Sequence, residues 1–179
     1  LFRSRVISSK GCITTDQVAP DSPLRVLYDA PDFRRYLCAV LGEAQLHEYA
    51  DPLSSLNVHF ADEGQELGWH FDNSSFAVTL MIQRPLEGGV FEYVPNVRHS
   101  AGAEMGYELA GRIIDGQVVP QTLSMDAGTL VLFRGKDSMH RVTPVRGDRT
   151  RVLAVLAYNT SPGVELSESA RMTFFGRLG

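Results

Sequence analysis

The chain has 179 residues, of which 44% are hydrophobic and 21% charged, a globular composition sized for one domain. Its net charge of -4 and pI near 5.7 deny it the basic footprint that phosphate backbones demand, so nucleic acid is not an expected partner. Its purely apolar runs, such as 152–158, are too short to span a bilayer, and no signal peptide is visible in a sequence that begins on Leu1. A cytoplasmic protein is expected, with its oligomeric state open. The two cysteines, Cys12 and Cys38, then read as buried thiols rather than a disulfide.

In chain order, Asp21-Ser22-Pro23 and Ala30-Pro31-Asp32 are turn signals. Residues 32–41 place Phe33, Tyr36, Leu37, Val40 and Leu41 at helical spacing, with Asp32 as N-cap and Gly42 as the stop. After Pro52 the texture changes to short runs rich in Val, Thr, Phe and Tyr, bounded by Gly, Pro, Asn and Asp. These runs, 56–60, 76–83, 89–94, 129–133 and 152–158, are predicted strands. Helical periodicity returns only at 103–114. Strands following a helical N-terminal part predict a β-sandwich or barrel with helices packed on one side.

Chemistry concentrates in Gly68-Trp69-His70-Phe71-Asp72 and Ser138-Met139-His140-Arg141-Val142. A spacing of two on a strand or strand end points His70 and Asp72 to one face. A lone H-x-D is common by chance, but the chain has only five histidines (His47, His59, His70, His99 and His140). With His140 added, two imidazoles and a carboxylate can take one face of an octahedron and leave positions open. That facial set is associated with non-haem Fe(II) oxygenases, and the open positions suit a bidentate co-substrate and O2. A structural zinc site would be closed and usually thiolate-rich. After His140 the chain turns and enters a strand preceded by Arg149 and Arg151, which read as sharing one face. An arginine there can form a fork with the distal carboxylate of the co-substrate. Equal parity leaves the choice open, and continuity with the 152–158 run favours Arg151.

The order H-x-D, a histidine about 70 residues on, and an arginine about ten residues later resembles the Fe(II)/2-oxoglutarate dioxygenase superfamily. The surrounding segments 67–73, 76–80, 88–95 and 128–135 resemble its core strands. Within it the chain is similar to the small stand-alone branch of free amino-acid hydroxylases and radical halogenases, over about residues 50–179. The resemblance implies a mainly β fold with flanking helices (α+β), a double-stranded β-helix or jelly roll with N-terminal helices packed outside. Residues 1–179 then form a single oxygenase domain, with 1–50 as helical support and 51–179 as jelly-roll core. It also implies Fe(II), 2-oxoglutarate and O2 as reactants, with His70, Asp72 and His140 as metal ligands and catalytic residues. Halogenases of that branch replace the aspartate by a small residue, which frees a position for halide. This chain keeps Asp72, so hydroxylation of a small polar substrate, such as an amino acid or a derivative, is the expectation.

Around this site, Asn57 and His59 share a strand face. Asn57 is a candidate 2-oxoglutarate contact and His59 a candidate substrate contact, although ordinary polar strand residues would look the same. Asn73 and Asn159 are further substrate candidates; Asn73 also reads as a turn residue. Phe174 and Phe175 are placed to close over the site or to pack in the core. Trp69, next to His70, is expected to point away from the metal. An oxygenase acting on a protein side chain and a non-catalytic metal-binding jelly roll remain the alternatives.

Overall fold

A computed structural model describes residues 7–99, 102 and 104–179. Strand β1 (Gly11–Ile13) is followed by helices α1 (Pro23–Asp29) and α2 (Pro31–Leu41) and the short β2 (His47–Glu48). Both expected turns are helix starts: Pro23 and Pro31 fall in the first turn, where a missing N–H costs nothing. The N-cap of α2 is therefore Ala30, and Asp32, predicted as the cap, lies inside the first turn and pairs with Arg35. Gly42 closes α2 as expected, in the left-handed region with its N–H on Cys38 O.

The remaining strands are β3 (Leu56–Ala61), β4 (Leu67–His70), β5 (Phe76–Gln83), β6 (Glu87–Gly88) and β7 (Phe91–Val94). After α3 (Tyr107–Ile114) come β8 (Gln121–Leu123), β9 (Leu130–Phe133), β10 (Met139–Val142), β11 (Val145–Arg146) and β12 (Arg151–Asn159), then α4 (Glu168–Phe175). The helix expected from residue 103 starts at Tyr107; Ala103 is outside the described residues. Gly106 precedes it with φ 61°, where a Cβ would meet Val97 O at 1.9 Å.

Two antiparallel sheets carry the fold. The larger runs β1-β3-β12-β5-β9, with β2 also paired to β12, and the smaller runs β4-β10-β7-β8; β6 and β11 form a ribbon. Because β1 and β2 lie before residue 50 and pair with β3 and β12, the N-terminal part contributes strands as well as helices. Strand alternation sorts β12 into two faces. Leu156 and Tyr158 share a core with Leu56, Phe76 and Val78 of the sheet and with Tyr28, Leu37 and Leu46 from the helical layer. Tyr28 and Tyr158 are buried with their hydroxyls satisfied: Tyr28 donates to Ala157 O at 2.9 Å, and Tyr158 to Tyr28 O at 2.9 Å. The opposite face sets Arg151, Leu153 and Val155 beside Ala61, His59 and Asn57 of β3. Leu153 and Val155 also face Met81 and Thr79 of β5. This inner face borders the cavity that holds the candidate site. Both cysteines are free thiols, only partly buried.

Candidate metal centre

Strands β4 and β10 are neighbours in the smaller sheet, and their register sets His140 opposite His70. The imidazole centroids are 4.1 Å apart. Asp72 lies two residues beyond the end of β4, where its N–H donates to Gly135 O at 3.0 Å. Its Oδ1 is 3.7 Å from His70 Nε2 and 3.5 Å from His140 Nε2. Ligand atoms of all three residues lie within 4.8 Å of one another.

Each imidazole is oriented by its other nitrogen. His70 Nδ1 donates to Gly68 O at 2.8 Å, and His140 Nδ1 to Ser138 O at 3.0 Å. A backbone carbonyl can only accept, so these bonds place the proton on Nδ1 and leave both Nε2 lone pairs for a metal. Burial pushes His70 down to about 4, helped by His140. Burial acts upward on Asp72, but His140, and less strongly His70 and His59, hold it at about 2. His140 is pulled down by burial, yet the Asp72 carboxylate and the Ser138 carbonyl raise it above its ordinary value. His70 thus offers a neutral nitrogen and Asp72 an ionised oxygen, and His140, whose pKa is raised, becomes the second neutral nitrogen when a metal displaces its proton. That set fits a divalent ion such as iron.

Gly135 forms the wall behind Asp72. A Cβ there would fall 1.8 Å from Asp72 Oδ2 and 2.5 Å from its Cγ. Oδ1 therefore faces the imidazoles while Oδ2 packs on the glycine.

His70, Asp72 and His140 border a largely apolar cavity. Thr79, Phe133, Leu153, His59 and Arg151 also border it. Arg151 is 3% exposed. Its Nε donates to Gly89 O at 3.1 Å, while Nη2 has no partner. Burial alone pulls this guanidinium down to about 10. An unpaired buried guanidinium nitrogen fits the distal carboxylate of a dicarboxylate co-substrate. Arg149 differs. Strand β12 begins at Arg151, so the shared strand face expected from the sequence is absent; Arg149 is exposed and donates to Pro85 O at 3.1 Å.

A second, more open cavity is bordered by the same His70 and Asp72 and forms the mouth. Asn57 borders this mouth and not the Arg151 cavity. Its amide donates to Leu53 O and Leu56 O at 2.6 and 3.1 Å, so the expected co-substrate contact gives way to backbone bonds. His59 borders both cavities, and burial pushes its pKa well down. Asn73 borders the mouth with its amide on Tyr49 Oη (2.8 Å) and Glu165 O (3.1 Å). Phe174 and Phe175 border it from α4. Asn159 borders neither cavity; its Oδ1 accepts from Ser75 N at 2.8 Å, which makes it a structural residue at the far end of β12. Trp69 points away from the ligands, against the Val97, Ile113 and Met139 cluster. Lys10, Tyr49 and Gly135 also belong to the site, and no sequence spacing marked them.

The fold is shared with solved oxygenases. An oxidoreductase of the 2OG-Fe(II) oxygenase family from Burkholderia pseudomallei is 16% identical and superposes with a TM-score of 0.61, over 87% of this chain and 67% of that one. A prolyl 4-hydroxylase from Phytophthora capsici is 17% identical with a TM-score of 0.54, over 92% of this chain and 55% of its own. A Pseudomonas putida prolyl-4-hydroxylase gives 14% and 0.50, over 88% and 74%. Among curated proteins no significant match is found. The sequence itself places the chain more narrowly: residues 8–173 match the family described as Halogenase D, and the chain belongs to that family.

Proposed function

We propose that this protein is an Fe(II)- and 2-oxoglutarate-dependent oxygenase that hydroxylates an aliphatic C–H of a small polar molecule, such as an amino acid derivative, releasing succinate and CO2. The observation that carries the reading is Asp72 Oδ1, set 3.5 and 3.7 Å from the two imidazole Nε2 atoms. It supplies the third donor of a facial set with positions left open. Iron, 2-oxoglutarate and O2, when bound, supply the oxidising power for C–H cleavage. His70 and His140 offer Nε2 because their Nδ1 atoms are tied to carbonyls. Arg151 holds the distal carboxylate and so fixes which end of the co-substrate meets the metal. Phe133, Leu153 and Val155 keep water from the inner cavity. In this reading residues 1–179 form one double-stranded β-helix domain with α1 and α2 packed outside it. A mouth bordered by α4 favours a small molecule over a protein side chain.

The family description supports halogenation as a second reading. A halide needs a metal position, and Asp72 takes the place it would need, which favours the alcohol. Reconstitution with Fe(II), 2-oxoglutarate and chloride tests both. Succinate release that disappears in His70→Ala, Asp72→Ala and His140→Ala is expected, with an oxygen-added product by mass spectrometry. A chlorinated main product would refute hydroxylation, and succinate release that persists without the three ligands would refute the whole assignment.

A further inference from the structure

Two of the three ligand residues depend on one loop. Gly135 O receives the Asp72 N–H at 3.0 Å, and Ser138 O receives the His140 Nδ1 proton at 3.0 Å. Both carbonyls lie in residues 134–138, which join β9 to β10. Asp72 lies beyond the end of β4, outside the ladder that sets His140 opposite His70. The position of its carboxylate therefore depends on what holds the 134–138 loop against the end of β4.

The segment after β7 supplies that hold. Val97 N–H and Arg98 N–H both donate to Asp137 O, at 2.9 and 3.2 Å. The Arg98 side chain then reaches two places at once. Its Nε donates to Lys136 O at 2.6 Å, next to the Gly135 that backs Asp72. Its guanidinium carbon lies 4.0 Å from the centre of the Phe71 ring. Phe71 is the residue between His70 and Asp72, and its ring packs against the Val97, Ile113 and Met139 cluster. A planar cation can cover an aromatic face and donate from its edge in the same pose, whereas an ammonium is a point charge. Burial lowers the Arg98 pKa, while Asp137, Tyr107 and Asp72 act the other way, so the ligand carboxylate also feels its charge.

We propose that Arg98 is a positioning residue for the metal centre. It braces the H-x-D segment, through the Phe71 ring, against the 134–138 loop, through the Lys136 carbonyl. Asp72 Oδ1 is thereby kept facing the two imidazoles. This rests on His70, Asp72 and His140 being the metal ligands, and it holds whether the product is an alcohol or a chloride.

Cobalt(II) titration of the metal-free protein, followed by visible absorption, tests it, with thermal melts to check the fold. Arg98→Met keeps an apolar contact on Phe71 but loses the donor and the charge. It should bind cobalt about tenfold more weakly and with an altered absorption band, as expected when the support of a ligand is lost. Arg98→Lys keeps the charge without the planar brace and should recover only part of the affinity. In a Phe71→Leu background the Arg98→Met loss should shrink, because one end of the brace is already gone. Leu156→Ala, which weakens the core under the helices, should leave cobalt affinity and spectrum unchanged while the protein stays folded. The proposal is overturned if Arg98→Met binds cobalt as the unsubstituted protein does, if Arg98→Lys restores binding fully, or if Leu156→Ala weakens cobalt equally. Should Arg98→Met fail to fold, Arg98→Lys decides alone: a weakened, altered site supports the brace and an unchanged one refutes it. Failure of the metal-centre reading shows separately, as cobalt affinity that Asp72→Ala does not lower, and would remove the proposal with it.

Discussion

Replacing Gly135 by Ala should damage the metal centre without altering any ligand. The added Cβ would lie 1.8 Å from Asp72 Oδ2, and contacts under 3.0 Å are not sustained, so the carboxylate must retreat by about 1.2 Å. The loop cannot simply part, because Asp72 N–H is bonded to Gly135 O at 3.0 Å. Displacing Oδ2 carries Oδ1 away from the two Nε2 atoms it faces. Disturbing the support of a ligand typically lowers metal affinity ~10–100-fold, or ~1.4–2.7 kcal/mol. Cobalt titration followed by visible absorption measures this in Gly135→Ala, Asp72→Ala and the double variant, with thermal melts to check the fold. If Gly135 acts through Asp72, it should cost little once Asp72 is gone, a strongly non-additive cycle. An unchanged affinity in Gly135→Ala, or an equal loss in the Asp72→Ala background, would refute the reasoning.

Arg151→Met should weaken 2-oxoglutarate by ~2–5 kcal/mol, because the co-substrate's distal carboxylate would lose its buried partner; Arg149→Ala should leave it unchanged, and equal effects in calorimetry would show the wrong arginine was chosen. Metal affinity should fall as pH drops through the raised pKa of His140, since that ligand must lose its proton while His70 (about 4) and Asp72 (about 2) are already deprotonated. Up to about one proton released per ion is expected below that raised pKa, and metal affinity that does not change as His140 titrates would contradict it. Asp72→Gly should lose most hydroxylation and give at most a minor chlorinated product with chloride present, because rebound also depends on where the substrate C–H is held; efficient chlorination would show that the missing carboxylate alone directs the outcome. Leu156→Ala, in the core under α1 and α2, should cost ~2–5 kcal/mol of stability, read by chemical denaturation.

Much of the site was legible because metal ligation restricts residue type. His70 and Asp72 needed only a spacing of two, and His140 stood out among five histidines. The strand runs at 56–60, 76–83 and 152–158 could be read from β-branched and aromatic runs, because central strands must present side chains that pack on a pleated surface. The short β2, β6 and β11, of two residues each, carry too few positions for any periodicity to register. Helix α4 was missed because its partly buried side is scattered and its start depends on a Ser167 cap that accepts from Ala170 N.

The sequence by itself determined the ligand types, the sequence order of the site and most of the central strands, since these follow from local composition and spacing. It could not choose between Arg149 and Arg151. That depended on where β12 begins, and hence on pairing with Ala61 on one side and on a bulged register with β5 on the other. Nor could it separate Asn159, bonded to Ser75 N 84 residues away, from a residue at the mouth. Lys10 and Gly135 were invisible for the same reason. Each meets the site only when a distant segment folds against it, β1 on β3 and the loop after β9 behind Asp72. Tertiary structure alone decides which chemically ordinary residues border a cavity, because that is a property of contacts between strands far apart in the chain.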